Sequence, residues 1–190
     1  MSQSVHWSCK CGAVQISVQT GEGTRAVCYC ASCQAFPKLL GHPDILDASG
    51  GTELYQTLPD LVTIEKGHEN LGRLKLTEKG PLRWVATCCD TPMANTSPTV
   101  QVPFASMIVS GIDDHEALGP IRAQVNTDGA TGKVPDSEMT YGQLFRQVLL
   151  RAFKARLRGR HRPNPFFDAA GKPTGRRVEI TDDMRARAKT

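Results

Sequence analysis

The sequence predicts a mainly β protein that ends in one amphipathic α-helix. Three observations carry this. Apolar and polar residues alternate through the first two-thirds of the chain, apolar residues recur at helical spacing after residue 140, and seven cysteines fall into three tight groups. A chain of 190 residues, 39% hydrophobic and 22% charged, is long enough for a core and too apolar for a disordered protein.

The strands follow in order. "AVQISVQ" (13–19) alternates apolar and polar side chains, as a half-buried strand requires. "DASGGTELYQT" (47–57) places a Gly-Gly turn ahead of a short strand. "VTIEKG" (62–67) and "GRLKLTEKG" (72–80) alternate again, and the Gly-Pro step before "PLRWVAT" (81–87) marks a hairpin or a sharp corner. "VQVPFASMIVSG" (100–111) is strand-like with Pro103 inside it, so this part is expected at an edge or a bulge. Arg73, Lys75 and Arg83 on these strands read as solvated faces, and His6 as a surface histidine.

Four segments result: a β domain over 1–125, a Gly/Asp/Pro-rich connector over 126–139, a basic amphipathic helix over 140–159, and a basic, partly disordered tail over 160–190. In the helix, Tyr141, Leu144, Phe145, Val148 and Ala152 form a stripe expected to pack on the β domain, with the arginines exposed. Thr140 and Gln143 match a capping box, and Gly159 and Pro163 are stop signals. Charge divides with the segments. From Tyr141 onward there are 13 Lys and Arg against 4 Asp and Glu, and before it 10 against 15. An acidic body thus carries a basic end. The opening "MSQSVHWSCK" has no apolar core of a signal peptide, and no apolar run approaches bilayer length. A cytoplasmic protein without a membrane partner is expected.

In that compartment thiols stay reduced, and clustered cysteines point to metal or chemistry. "CKC" supplies Cys9 and Cys11, "CYCASC" supplies Cys28, Cys30 and Cys33, and "TCCD" supplies Cys88 and Cys89. Seven thiols divide as four plus three. A structural zinc site takes four ligands, and a catalytic one takes three and keeps a position open. Cys9, Cys11, Cys88 and Cys89 are read as the closed site and Cys28, Cys30 and Cys33 as the open one, with iron–sulfur ligation as an alternative use of the same thiolates. Neighbouring residues in a strand face opposite ways. Cys88 and Cys89 therefore reach one ion only if the backbone turns at "CCDTPM"; otherwise Cys88 faces the other side.

The order "CKCGAV", "CYCASCQAF", "CCDTPM" over residues 6–110 resembles the glutathione-dependent formaldehyde-activating enzyme family, which includes centromere protein V. The resemblance implies two small antiparallel sheets leaning together as a β-tent, with zinc at the joints. It implies a structural zinc on the first and last cysteine pairs and a catalytic-type zinc on Cys28, Cys30 and Cys33. The activity implied is zinc-dependent carbon–sulfur lyase chemistry on a small thiol or thiol–aldehyde adduct of the glutathione type. This chain departs from the family pattern at three places: Ala86 where a cysteine is usual (Cys88 being offered instead), Gln34 for arginine, and Asp90 for glycine. The second reading is a non-catalytic zinc module that binds a partner or nucleic acid through its basic helix. On the first reading no nucleic-acid partner is expected.

Overall fold

A computed structural model describes residues 3–188. Met1, Ser2, Lys189 and Thr190, the extremes of the expected β domain and tail, lie outside the described residues. The strands and helices run β1 (Ser4–Ser8), β2 (Gln15–Gln19), β3 (Thr24–Cys28), α1 (Ala31–Leu39), β4 (Thr52–Thr57), β5 (Val62–Lys66), β6 (Leu71–Leu74), β7 (Leu82–Ala86), β8 (Thr91–Thr96), β9 (Ala105–Ile108), β10 (Ile121–Val125), α2 (Tyr141–Leu157), β11 (Arg176–Arg177) and α3 (Asp182–Arg187).

The fold is mainly β and has two sheets. The smaller is antiparallel, in the order β1-β2-β5, and the larger has eight strands in the order β10-β3-β4-β9-β8-β7-β6-β11. The larger sheet is mixed, since β10 runs parallel to β3 and β11 parallel to β6. Alternation along its strands sends two sets of side chains to opposite faces. Tyr55, Trp84, Ala105 and Met107 face the small sheet and meet Trp7, Ile16, Val18 and Ile64 in one core. Ala26, Leu54, Val85 and Ile108 face the other way and meet Phe36 and Leu39 of α1 and Leu144 of α2. Pro103 sits just ahead of β9 rather than within it, so β9 pairs on both sides, with β4 and β8, in the sheet interior.

Two helices join the one that periodicity predicts. α1 starts at Cys30 and buries Cys33, Phe36 and Leu39. Its nine residues include Ser32, Cys33 and Pro37, too short and too poor in helix formers to stand out. α3 packs beside α1 through Met184.

α2 is capped as expected, with the Thr140 amide donating to Gln143 Oε1 and the Gln143 amide to Thr140 Oγ1. Its docking differs. Leu144, Ala152 and Ala155 are buried, whereas Tyr141 and Phe145 of the expected stripe are 58% and 50% exposed. An arginine holds the helix instead: Arg151 donates to the Gln56 carbonyl (2.8 Å) and to Thr24 Oγ1 (2.7 Å). Helical spacing marks which residues share a face but not what that face meets.

The tail is docked rather than loose. Phe166 is fully buried, its ring 4.9 Å from that of Trp84, and Phe167 packs at 6.4 Å. The Val178 amide donates to the Arg73 carbonyl, and Arg73 Nε to the Gly175 carbonyl, which seats β11 along β6. No helix among the described residues is long and apolar enough to cross a membrane.

Two measurements follow from this packing. Leu144→Ala should cost about 2–5 kcal/mol, the range for truncating a buried leucine. Phe145→Ala should move the urea midpoint far less, and an equal shift for both would show that α2 docks through the other face. Phe166→Ala should cost about 3–5 kcal/mol; a midpoint matching the parent would contradict the docking of the tail.

Candidate metal centre

The first cluster gathers Cys9, Cys11, Cys88 and Cys89, whose sulfurs lie within 4.8 Å of one another. Cys9 and Cys11 leave β1 in a tight turn. The Gly12 amide donates to the Cys9 carbonyl, and Gly12 takes φ 73°, a conformation glycine adopts without cost. The turn aims the Val14 amide at Cys9 Sγ (3.2 Å). Across from it β7 ends at Ala86 and β8 begins at Thr91. Between them the chain turns at 87–90, with Asp90 at φ 55° in the left-handed region. This turn brings Cys88 and Cys89 to one side and resolves the question of direction: Cys88 faces the first cluster. Asp tolerates this conformation better than most residues.

The separations are 3.6 Å for Cys9–Cys11, 3.7 Å for Cys9–Cys88, 3.4 Å for Cys11–Cys88 and 3.8 Å for Cys88–Cys89. A tetrahedral ion with metal–sulfur bonds of ~2.3 Å has sulfur–sulfur edges of ~3.8 Å. The four thiols fit such an ion, and none is in a disulfide. Burial opposes ionisation of Cys89, but the Thr91 hydroxyl and the Cys11 amide outweigh it and bring the thiol down to about 6. Burial, then the neighbouring Cys11 and Cys9 thiols, push Cys88 up, as expected where one cluster is asked to carry several charges. Behind the turn, buried His42 places Nε2 3.1 Å from the Cys89 carbonyl and steadies the ligand loop. His6 belongs to neither cluster and pairs with Glu65 at 3.6 Å.

The second cluster is Cys28, Cys30 and Cys33, again within 4.8 Å, with no further Cys, His, Asp or Glu joining them among the described residues. Cys28 ends β3, Cys30 is the N-cap of α1 and Cys33 lies one turn into it. The Cys33 and Gln34 amides donate to the Cys30 carbonyl. Cys30 is driven towards the thiolate by hydrogen bonds from Cys28 and then Cys33. Cys33 is pushed up by Cys28, Cys30 and burial. A helix N-terminus favours negative charge at these positions.

Two partners of this cluster, Arg83 and Asn126, escape a reading of the sequence. Arg83 is 3% exposed, not on a solvated face, because α1 covers its side of β7. Its Nη1 and Nη2 lie 3.8 and 3.9 Å from Cys33 Sγ, and it donates to Asn95 Oδ1 (2.9 Å) and Ser32 Oγ (2.8 Å). Asn126, in the connector, donates from Nδ2 to Cys28 Sγ at 3.3 Å. Gln34 is occupied: its Nε2 donates to the Tyr29 and Gly129 carbonyls, both at 2.7 Å. Buried cationic or amide partners of cysteine carry no sequence signal by spacing, since each comes from a different element.

The three thiols open onto a cleft of ≈ 420 Å³ between the large sheet and α2. Fold and site together define a two-sheet β protein with a four-cysteine cluster at one sheet junction and a three-cysteine cluster at the mouth of a cleft. Residues 1–179 match the family of unknown function DUF6151, and the chain belongs to that family. No curated protein matches it. A crystal structure of a Rhodobacter sphaeroides protein is similar at a TM-score of 0.44 and 17% identity, covering 63% of this chain and 98% of the other, a likeness too distant to carry an argument.

The turn at Asp90 gives a clean test. Asp90→Gly should keep metal content and stability or raise the latter, whereas Asp90→Val, β-branched at positive φ, should lose about 1–2 kcal/mol. Equal behaviour of the two in thermal unfolding would show that the turn does not hold this conformation. Cys9→Ser should release one equivalent of metal and lower the melting temperature steeply; unchanged metal and stability would remove the four-cysteine site.

Proposed function

We propose that the protein is a cytoplasmic, zinc-dependent carbon–sulfur lyase-like protein, with a structural zinc on Cys9, Cys11, Cys88 and Cys89 and a reactive zinc on Cys28, Cys30 and Cys33. The observation that carries the reading is the contrast between the clusters: one has four thiols, and the other has three facing a cleft. Thiolate ligands at tetrahedral spacing favour zinc. Resemblance to the formaldehyde-activating family in the order of the three cysteine motifs supports the same assignment.

Zinc in the three-cysteine cluster would supply a Lewis-acidic position that favours the ionised form of a substrate thiol. The reaction class is reversible addition of that thiol to an aldehyde. The carbon–sulfur bond forms as the carbonyl π bond opens, and the thiol's proton ends on the former carbonyl oxygen; cleavage is the reverse. This chain's own residues set the conditions. Arg83 offsets the excess negative charge of three thiolates and, through its bond to Ser32, fixes the first turn of α1. Asn126 orients Cys28.

The alternative, a zinc module with no chemistry, calls for a fourth protein ligand at Cys28, Cys30 and Cys33, and among the described residues no such side chain joins them.

The test is exchange between formaldehyde, a small thiol such as 2-mercaptoethanol, and their adduct, followed by NMR on protein purified without chelator. The protein should accelerate exchange by at least about tenfold. Cys30→Ser should abolish this and remove one equivalent of zinc while the fold persists. Zinc retained in Cys30→Ser, or a fully loaded protein with no acceleration for any thiol and aldehyde, would overturn the lyase reading.

A further inference from the structure

The cleft is asymmetric. Its floor is a cross-strand row of the large sheet. Arg83 pairs with Asn95, Asn95 with Ser106, and Ser106 with Gln56, so four polar side chains point to the same face side by side. At the Arg83 end the row touches Cys33, and at the Gln56 end it passes under α2. The opposite wall is apolar, built from Val102, Phe104, Tyr141, Phe145, Val148 and Leu149.

Two features of the floor point to a ligand. Ser106 is 2% exposed, yet its Oγ has no hydrogen-bond partner, and the buried Gln56 Oε1 has none either. Buried polar atoms left unpaired are costly, so a site retains them where something else pairs them. Charge narrows the choice further. Among the described residues no aspartate, glutamate, lysine or histidine lines the cleft, and the one cation among them that does, Arg83, is already engaged by Asn95 and Ser32. A peptide thiol of the glutathione type brings two carboxylates and an ammonium, which would lose water without gaining counter-charges. The exposed Tyr141, Phe145 and Leu149 present apolar surface instead.

We infer that the cleft binds an uncharged, largely apolar thiol or its aldehyde adduct, with an alkyl or aromatic group along α2 and a hydrogen-bond donor paired with Gln56 and Ser106. This rests on the metal reading of Cys28, Cys30 and Cys33 only for the position of the sulfur. The apolar wall and the orphaned floor stand without it.

Three probes separate the two. N-benzyl-2-sulfanylacetamide carries thiol, amide N–H and ring; N-benzylacetamide lacks the thiol; glutathione is the charged comparison. By calorimetry on metal-loaded protein, the first should bind at least tenfold more tightly than glutathione. Phe145→Ser changes a half-exposed residue, so the fold is retained; it should weaken both benzyl probes at least fivefold and leave glutathione within twofold. Gln56→Leu should weaken both benzyl probes as well. Glutathione binding as tightly as the benzyl thiol, or benzyl probes indifferent to Phe145→Ser, would overturn the inference. Phe145-dependent binding of both benzyl probes with no advantage from the thiol would support the apolar wall and the paired floor and overturn the placement of a substrate sulfur at Cys28, Cys30 and Cys33.

Discussion

Two sheets that share a core must be held in register at their ends, where the strands stop and packing thins out. Here that constraint is met by four sulfurs. Cys9 and Cys11 sit where β1 turns towards β2, and Cys88 and Cys89 sit where β7 turns towards β8. Trp7 and Trp84, both fully buried, lie just inside this junction. A metal ion bound there would tie the two turns into one joint, and its free energy of binding would become free energy of folding. The rest follows from the joint. β7 and β8 held at this end place Arg83 and Asn95 in line with Ser106 and Gln56, and that line is the floor of the cleft.

The two faces of the large sheet divide the work. One is sealed against the small sheet by Met93, Met107 and the tryptophans. The other carries α1, α2 and α3, and the helices cover it unevenly. α1 is tight, with Phe36 buried beneath the Arg83 guanidinium, whose centre lies 5.3 Å from the ring. α2 is held by Leu144, two alanines and the Arg151 clamp, which leaves room between helix and strands. Chemistry-bearing side chains collect at the boundary between tight and loose coverage.

Much of this arrangement is legible in the sequence because cysteine spacing is a local signal. Cys28, Cys30 and Cys33 form a group within one strand end and one helical turn, and the doublet Cys88-Cys89 needs only the bend that "CCDTPM" permits. What escapes a linear reading is whatever depends on register. Arg83, Asn95, Ser106 and Gln56 span 50 positions of sequence yet stand shoulder to shoulder, and nothing in their local spacing relates them. Phe145 shows a different limit: an apolar stripe on a helix reads the same whether it meets a core or walls a cleft. Phe166 and Phe167 show a third, because prolines and basic residues around two aromatics mask a buried anchor.

The docking of Phe166 on Trp84 also sets an order of events during synthesis. The two rings are separated by 82 positions of chain. At about 5–20 residues per second, Trp84 is made roughly 4–16 s before the aromatic that covers it. Through that interval β6 has its partner β7 on one side and an open edge on the other, because β11 has yet to be translated. Cys88 and Cys89, by contrast, meet Cys9 and Cys11 as soon as β7 and β8 emerge. A nascent chain can therefore gather its four cysteines while its sheet edge is still unpaired, and a ribosome-bound intermediate of this protein would carry a finished junction beside an unfinished border.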